Sequence, residues 1–562
     1  MATKEGQLQM SYIKCEEEES LKTLVDCLKW YASTKGDDES VVFVSEDFSR
    51  EVVTWKELYE KSRLTAKALI KLGVQKDEVV AINVRSCPQW LYLTFGAMLR
   101  GARPVGIVYT YTDGSDLVAM MEKLQTCSLL VMDPGMDGAN WKIVKDLVEV
   151  GSDGKVSSSK MPYLRYLVGY EPGESIHMPD VLSFNDMIKE VPEDISLPVI
   201  VENDIAFLFQ TSGSTGVPKL VTHTHRSLMY LRYISKGSEN TGQFGDRPFP
   251  WLGGFPLNVL YGGKRVTLSG FCNIPEDRVK FIIEVVKREE NIFVISLMPP
   301  ILHEFIIRQD ELNFDWPIVC ISTGGQPMNK KNARCVGKIA KVLANGYGGT
   351  EFLFGATAVI VNPDHFQDNL CGTLCNAPGL ELKIVNEKDE IVPVNTKGEI
   401  CIRSPALFKD YYNDPIKTAA VKTPDGWYRT DDVGWLNGDS LLFVEGRKSS
   451  MIISGGMNVE PEILERVLES HPSVGSAVIV PVPDEIYHQV LCACIQINPG
   501  CDVTEQELRT YFDENTNDKP GMFTVLPKHY MFLTEFPELY TGKTNRKALA
   551  DKAMKRFADK LE

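Results

Sequence analysis

A short run of small polar residues in this chain has the composition of a phosphate-binding loop. Residues 211–216 read Thr-Ser-Gly-Ser-Thr-Gly, and a valine and a proline separate them from Lys219. Glycines let backbone N–H groups turn toward an anion, hydroxyl groups add donors, and a lysine supplies a positive charge. A flexible surface loop has a similar composition, so the run alone does not decide between the two interpretations.

The neighbouring residues predict the elements that hold this run. The apolar residues 205–209 predict a buried strand, and the pattern that starts at His225 predicts a helix. We therefore expect the loop to connect a strand to a helix, which is a common place for a bound anion. The usual nucleotide-binding P-loop is excluded, because Lys219 follows Pro218 and no glycine stands beside the lysine.

Length and composition set limits on the class of protein. The 562 residues are enough for about two to four domains, and a hydrophobic content of 43% is ordinary for a globular protein. A net charge of −16 argues against a nucleic-acid-binding surface. The 13 scattered cysteines lack zinc-site spacing and predict reduced thiols. Neither a targeting segment nor a transmembrane stretch is recognised, so the expected location is cytoplasmic.

Strand and helix patterns alternate along the first half of the chain. Helices are predicted at 21–32, 55–72 and 87–100, and a buried strand at 79–84. Such alternation predicts mostly parallel sheets that are covered by helices. Short β-like runs then predict a small β-rich subdomain at about 355–445.

A polar break at 446–450 separates a further unit. It is followed by a predicted helix at 461–470 and by strands at 476–482 and 492–497. The predicted fold class is therefore α/β, with a large N-terminal domain of helix-covered sheets that includes the β-rich subdomain. The predicted boundaries are 1–445 for this large domain, 446–450 for a hinge and 451–562 for a smaller, mobile α+β C-terminal domain.

Five more motifs follow the first run in order, and together they indicate a family. They are Ser322-Thr323-Gly324-Gly325-Gln326-Pro327, Asn345-Gly346-Tyr347-Gly348-Gly349-Thr350-Glu351, Gly426-Trp427-Tyr428-Arg429-Thr430-Asp431-Asp432, Gly446-Arg447 and Thr541-Gly542-Lys543-Thr544-Asn545-Arg546. At these distances the set resembles the acyl-adenylate-forming superfamily, which includes acyl-CoA synthetases, 4-coumarate–CoA ligases, luciferases and peptide-synthetase adenylation domains. The resemblance runs from about residue 40 to residue 550.

The resemblance implies an AMP-forming carboxylate–CoA ligase that uses ATP, Mg²⁺ and CoA. Lys543 would bridge the attacking carboxylate and the α-phosphate, Thr350 and Glu351 would complete the catalytic set, and Glu351 and Thr215 would bind the metal. Tyr347 would lie against adenine, Asp432 would accept hydrogen bonds from the ribose, and Arg447 would add a contact. The residues implied in binding ATP or CoA are Thr211, Ser212, Gly213, Ser214, Thr215, Gly216, Lys219, Gly324, Gly325, Tyr347, Asp432, Arg447 and Gly456.

The chain departs from the family pattern at four positions. Leu220 and Asp431 stand where the family usually has glycine, and the carboxylate of Asp431 is expected to raise the pKa of Asp432. Ser449 occupies the expected hinge position, which is usually Asp or Lys. Trp251 replaces a histidine of the acyl pocket and would gate or shorten that pocket, or simply belong to the core. None of these changes removes a ligand that the chemistry requires, so we expect an active enzyme.

The sequence also limits the acid that such an enzyme would activate. The segments 251–260, 297–305 and 352–358 are largely apolar, which favours a fatty or an aryl acid without deciding between them. No carboxylate between Trp251 and Gly270 is available for the ammonium group of an amino acid. Three alternatives stay open: luciferase-like oxygenation, transfer to a carrier-protein thiol, and a weakly active ligand-binding relative. The sequence carries no signal for the oligomeric state.

Overall fold

The structure is a computed structural model, and it describes most of the 562 residues. The described residues are 7–9, 21–107, 115–135, 138–151, 154–170, 178, 180–189, 191–211, 219–234, 241–245, 247–270, 277–297, 299–312, 316–325, 328, 330–336, 339–375, 377–448, 452–454, 457–459, 461–484, 488–516, 526–539 and 543–557.

Strands and helices alternate along these residues. The strands are β1 Gln7–Gln9, β2 Glu39–Val44, β3 Arg50–Thr54, β4 Val79–Asn83, β5 Arg103–Gly106, β6 Cys127–Met132, β7 Glu149–Val150, β8 Val156–Ser157, β9 Tyr166–Gly169, β10 Leu182–Ser183, β11 Ile205–Thr211, β12 Lys219–Thr224, β13 Gly242–Gly245, β14 Arg265–Leu268, β15 Ile292–Ser296, β16 Cys320–Gly324, β17 Val342–Gly349, β18 Leu353–Ile360, β19 Leu370–Leu374, β20 Glu381–Val385, β21 Gly398–Arg403, β22 Asp410–Tyr411, β23 Tyr428–Leu436, β24 Leu442–Arg447, β25 Ile452–Ser454, β26 Met457–Val459, β27 Val474–Asp484, β28 His488–Ile497 and β29 His529–Phe532. The helices are α1 Leu24–Thr34, α2 Trp55–Lys71, α3 Pro88–Arg100, α4 Ser115–Lys123, α5 Ala139–Val144, α6 Phe184–Lys189, α7 His225–Met229, α8 Arg278–Arg288, α9 Pro299–Ile307, α10 Lys330–Val336, α11 Pro415–Val421, α12 Pro461–Glu469, α13 Glu505–Thr516 and α14 Arg546–Phe557.

Two large sheets contain most of the strands. The first has 14 strands, in the order β1-β20-β21-β23-β24-β19-β18-β17-β16-β15-β13-β14-β2-β3. The strands from β17 to β2 in this order are parallel, and the strands from β18 to β1 pair antiparallel. The second has eight strands, in the order β10-β9-β6-β4-β5-β11-β12-β22. The predicted α/β fold class is confirmed, and the predicted β-like runs extend the first sheet.

Helices α2 and α3 pack against each other, α2 also contacts β2 and β3 of the first sheet, and α3 contacts β4, β5 and β11 of the second. Helix α2 begins after Thr54, whose hydroxyl accepts a hydrogen bond from the Glu57 backbone N–H at 3.2 Å, as the N-cap pattern predicts. The Trp90 ring of α3 packs against Phe207 of β11 at a centroid distance of 5.9 Å. These rings belong to one buried cluster that also includes Phe43 of β2, so the cluster holds the sheets in a fixed relation.

The loop after β11 does not run into a helix, so that prediction is wrong. Lys219 begins strand β12, which pairs antiparallel with β11, and Thr211 lies opposite Lys219. Helix α7 begins only at His225, after an N-cap at Thr224. The loop therefore joins the two strands of a hairpin and does not connect a strand to a helix.

The C-terminal part has its own sheet and helices. Strand β28 pairs antiparallel with β27 and parallel with β29. Alternate residues of these strands face α12 and α13 on one side and α14 on the other, which gives two hydrophobic clusters. Lys543 lies three positions before Arg546, the first residue of α14. The division of the chain at about residue 445 remains a prediction.

Two further sequence expectations concern membranes and disulfides. Within the described ranges, we find no helix with the length and apolar character needed to cross a membrane. The cysteines whose side chains are described are free thiols, and most of them are buried.

Candidate active site

Strands β17, β23 and β24 of the 14-stranded sheet bring Tyr347, Asp432 and Arg447 together, although β18 and β19 lie between β17 and β24. The Tyr347 hydroxyl donates a hydrogen bond to Asp432 Oδ2 at 2.7 Å, and Arg447 Nε donates to Asp432 Oδ1 at 3.3 Å. Asp432 and Arg447 lie directly opposite each other on β23 and β24. The Asp432 side chain is 14% exposed and that of Arg447 is 64% exposed. A carboxylate accepts about four hydrogen bonds, so Asp432 keeps capacity for the hydroxyls of a ligand.

A bulge in β23 points Asp432 at Tyr347. Cys401 of β21 lies opposite Arg429 and Glu399 lies opposite Val433, so residues 430–432 face one residue of the neighbouring strand. Asp431 has a φ of +65°, in the left-handed region that glycine adopts most easily. This conformation explains why glycine is usual at this position in the resembling family, and aspartate tolerates it better than most residues.

The charge on Asp431 is expected to affect nucleotide binding at low pH. Burial raises the pKa of Asp432, and the Asp431 carboxylate adds to the rise, whereas Arg447 and Tyr347 oppose it. If ionised Asp432 binds the ribose, ATP binding weakens as the pH falls through this raised pKa. Asp431→Gly and Asp431→Asn should both lower the pKa and move the loss of binding to lower pH. Measuring the KM for ATP across pH tests this, and unchanged profiles in both variants would contradict it.

Tyr411 connects two of the residues that the sequence predicts for phosphate and metal binding. Its hydroxyl donates a hydrogen bond to Glu351 Oε1 at 2.8 Å. The Lys219 ammonium lies 4.9 Å from the centroid of the Tyr411 ring. Sequence reasoning missed Tyr411, because a tyrosine in a two-residue strand gives no local sign of a partner 60 residues away.

Lys543 reaches the other side of the same site. A methyl group added at Gly325 would lie 3.6 Å from Lys543 Cε and 3.7 Å from Lys543 Nζ. Burial lowers the pKa of Lys543, the neighbouring Arg447 and Arg247 lower it further, and Asp432 and Glu351 act in the opposite direction. The atoms around the ammonium group cause this desolvation, although Lys543 as a whole residue is exposed to solvent. Because several cations converge here, the cleft favours an anionic ligand.

Arg247 is a further residue of this cleft that the sequence did not identify. Its Nη2 donates a hydrogen bond to the Leu297 carbonyl at 3.3 Å. The Leu297 backbone N–H in turn donates to the Ser322 backbone carbonyl at 3.0 Å, so the arginine lies beside the carboxyl ends of β15 and β16. A single arginine in an aromatic segment carries no motif that could have predicted this position.

The described residues fit one magnesium ion bound together with a triphosphate. No group of three or more His, Cys, Asp or Glu residues that could hold a metal occurs in the described part of the chain. Mg²⁺ usually keeps several waters and is bound through one or two carboxylates plus substrate phosphates. Glu351, which contacts Tyr411 as Lys219 does, would provide such a carboxylate.

Some of the remaining predicted residues are described by the structure, and the others lie outside the described ranges. Gly324 ends β16 and lies opposite Gly346, and Thr350 lies in the turn before Glu351. Trp251 is buried, with 9% of its surface exposed. The predicted residues that lie outside the described ranges are Ser212, Gly213, Ser214, Thr215, Gly216, Ser449 and Gly456.

Comparison with known proteins gives the same class of enzyme. A family model described as an AMP-binding enzyme matches residues 28–412, and a model described as an AMP-binding enzyme C-terminal domain matches residues 464–543. A 4-coumarate–CoA ligase 4 of Arabidopsis thaliana is 24% identical over 92% of this chain and 89% of its own length. The mitochondrial medium-chain acyl-CoA ligase ACSF2 of Danio rerio is 24% identical over 95% of this chain and 89% of its own length.

Solved structures share the fold over nearly the whole chain. An anthranilate CoA ligase, AuaEII, in complex with anthranoyl-AMP has a TM-score of 0.80 at 20% identity and covers 97% of this chain and 100% of its own. The o-succinylbenzoate CoA synthetase MenE of Bacillus subtilis, in complex with an acyl-adenylate, has a TM-score of 0.73 at 21% identity and covers 93% and 97%.

The fold and the family matches define the class of acyl-adenylate-forming enzymes. The chain belongs to the AMP-binding enzyme family, with the C-terminal domain that accompanies it. The predictions of the superfamily and of an ATP-dependent ligase are therefore confirmed, whereas the roles of individual residues remain predictions.

Proposed function

We propose that this chain is an AMP-forming carboxylate–CoA ligase for an apolar acid, either fatty or aryl. The observation that carries the proposal is the position of Lys543, whose ammonium lies beside Gly325 and within reach of the charges of Asp432, Glu351 and Arg447. A cation at this place supports the attack of a carboxylate on a phosphate, because it offsets negative charge that concentrates between the two.

Each residue of the cleft has a role in the proposed first half-reaction. Asp432 and Arg447 bind the ribose, and Tyr347 lies against adenine. Lys219 and residues 211–216 bind the triphosphate, and Thr350 contacts phosphate or acyl oxygens. Glu351 and Thr215 would hold Mg²⁺, which would offset the charge of the phosphates. Lys543 orients the carboxylate against the α-phosphate, from which pyrophosphate leaves.

The second half-reaction requires a different arrangement of the C-terminal part. A hinge at 446–450 would let it rotate, which withdraws Lys543 and presents the loop with Gly456 to the thiol of CoA. In the present arrangement, Arg466 Nη1 donates to Asn369 Oδ1 at 2.9 Å, and an added methyl group at Gly446 would meet the Glu462 side chain at 2.7 Å. Rotation would have to break these contacts.

We place the enzyme in the cytoplasm.

Pyrophosphate release tests this function. The purified chain is incubated with ATP, Mg²⁺ and a panel of short, medium and long fatty acids, benzoate, cinnamate and several amino acids, with and without CoA. We expect release with an apolar acid and faster release with CoA, because CoA removes the acyl-adenylate. A rate of pyrophosphate release that does not change when CoA is added would instead indicate oxygen, a carrier-protein thiol or another acceptor. A folded protein that releases no pyrophosphate with any acid would support a ligand-binding relative.

A further inference from the structure

Two side chains from the last two strands of the eight-stranded sheet hold the turn that carries Thr350 and Glu351. His223 belongs to β12 and Tyr411 to β22, and these strands pair with each other in the eight-stranded sheet. The turn itself connects β17 and β18 of the 14-stranded sheet. The two side chains therefore link the two large sheets directly at the candidate site.

His223 binds the main chain of the turn. Its Nε2 lies 2.7 Å from the Thr350 carbonyl oxygen, and its Nδ1 lies 2.9 Å from Ser227 Oγ. A carbonyl oxygen only accepts hydrogen bonds, so Nε2 carries the proton and Nδ1 accepts from the serine. His223 has no exposed surface, and burial lowers its pKa to about 4, so the ring remains neutral with this tautomer.

Tyr411 binds the carboxylate of the same turn. Its hydroxyl donates to Glu351 Oε1 at 2.8 Å, while its ring lies under the Lys219 ammonium at 4.9 Å. The Phe408 backbone N–H also donates to the Glu351 carbonyl at 2.8 Å, so the same chain segment holds Glu351 at two points. Glu351 Oε1 and Lys219 are thus fixed relative to each other through one aromatic ring.

We propose that His223 and Tyr411 are positioning residues that fix Glu351 relative to Lys219, so that metal and triphosphate are bound together in one arrangement. This inference rests on the proposed function, in which Glu351 binds Mg²⁺ and Lys219 binds the triphosphate. Neither residue has to touch the nucleotide. Tyr411 restricts the rotation of the carboxylate, and His223 restricts the backbone that carries it, which preserves the orientation needed for binding.

The chain offers a matched pair of tyrosines for the test. Tyr411→Phe keeps the ring beside Lys219 and removes only the hydroxyl that binds Glu351. Tyr412→Phe is the control, because the Tyr412 hydroxyl lies 3.0 Å from Thr126 Oγ1, away from the turn. Affinity for a non-hydrolysable ATP analogue is measured by calorimetry with Mn²⁺ and with EDTA. We expect Tyr411→Phe to weaken the Mn²⁺-dependent affinity about tenfold, the scale of a lost partner of a metal ligand, and to leave the EDTA value unchanged.

A matched pair of histidines tests the main-chain contact. His223→Leu removes the donor to Thr350, whereas the amide N–H of His223→Gln can replace it. His225 is also fully buried, but its Nδ1 accepts from the Leu24 backbone N–H at 3.3 Å, in α1. We expect His223→Leu to weaken Mn²⁺-dependent binding, His223→Gln to recover most of it, and His225→Leu to affect thermal unfolding alone.

The outcomes separate this inference from the function on which it rests. A wild-type chain that binds the nucleotide equally with Mn²⁺ and with EDTA would overturn the metal assignment itself, and the positioning role with it. Metal-dependent binding that is lost in Glu351→Gln but unchanged in Tyr411→Phe and His223→Leu would overturn only the positioning role. Equal losses in Tyr411→Phe and Tyr412→Phe, with equal falls in thermal stability, would overturn it too and show a general packing effect.

Discussion

Lys543→Ala is expected to slow acyl-adenylate formation by at least about a hundredfold, the scale for losing one charge contact to a transition state. The ammonium lies beside Gly325 and interacts with the charges of Arg447, Asp432 and Glu351. The second half-reaction should proceed within about twofold of the wild-type rate when acyl-adenylate is supplied, because the lysine is withdrawn in the proposed rotation. Isotope exchange between pyrophosphate and ATP measures the first step, and thioester formation measures the second.

Lys547→Ala is the control for this prediction, because Lys547 is exposed in the first turn of α14, four residues further on. Both half-reactions should remain within about twofold of the wild-type rate in this variant. An equal loss of both half-reactions in Lys543→Ala would contradict the proposed withdrawal and indicate that the lysine acts in both steps.

Asp432→Asn should raise the KM for ATP by about a hundredfold with a much smaller change in kcat. The substitution keeps the size of the side chain but removes a charged acceptor, and a hydrogen bond to a charged group contributes about 1.5–3 kcal/mol. Asparagine keeps one neutral acceptor and replaces the other with an NH₂ group that cannot accept, so losing one charged contact and weakening the second corresponds to about 3 kcal/mol, or about a hundredfold in affinity. Steady-state kinetics at saturating acid, together with calorimetry of AMP binding, measure the effect.

Two variants control for indirect effects at Asp432. Tyr347→Phe removes the hydroxyl that donates to the same carboxylate at 2.7 Å and should raise the KM for ATP by less than about tenfold. Asp439→Asn changes an exposed carboxylate in the turn between β23 and β24 and should have no effect on this KM. A larger loss in Tyr347→Phe than in Asp432→Asn would indicate that Tyr347, and not the carboxylate, dominates nucleotide binding.

Elements with a strong local pattern could be predicted from the sequence. Helix α2 was predicted at 55–72 and is observed at Trp55–Lys71. The prediction succeeded because the N-cap residue and the apolar face of this helix are formed by residues that are close in the sequence. Strand β12 was missed, because its polar residues Thr222 and His223 break the apolar pattern of a buried strand. A polar residue is tolerated in this buried strand because His223 forms a hydrogen bond with Thr350, which lies 127 residues further along the chain.

The candidate site shows the same division between local and distant signals. The motifs around Glu351, Asp432 and Lys543 could be recognised, because each is a short stretch with its own residue order. Arg247 and Tyr411 could not be recognised, since their partners come from other parts of the chain and are brought near only by the folded sheets. Sequence reasoning thus identified groups expected to contact ligands but missed residues that support them.

The left-handed backbone at Asp431 has a consequence for how relatives of this chain are searched for and redesigned. A pattern that demands glycine at this position would reject the chain, although its bulge still delivers the next carboxylate to Tyr347. What the position requires is a torsion angle and not an amino acid, and asparagine or aspartate can meet that requirement. Libraries built on this scaffold should therefore vary position 431 among Gly, Asn and Asp. These residues change the charge at this position but keep the backbone conformation of the strand.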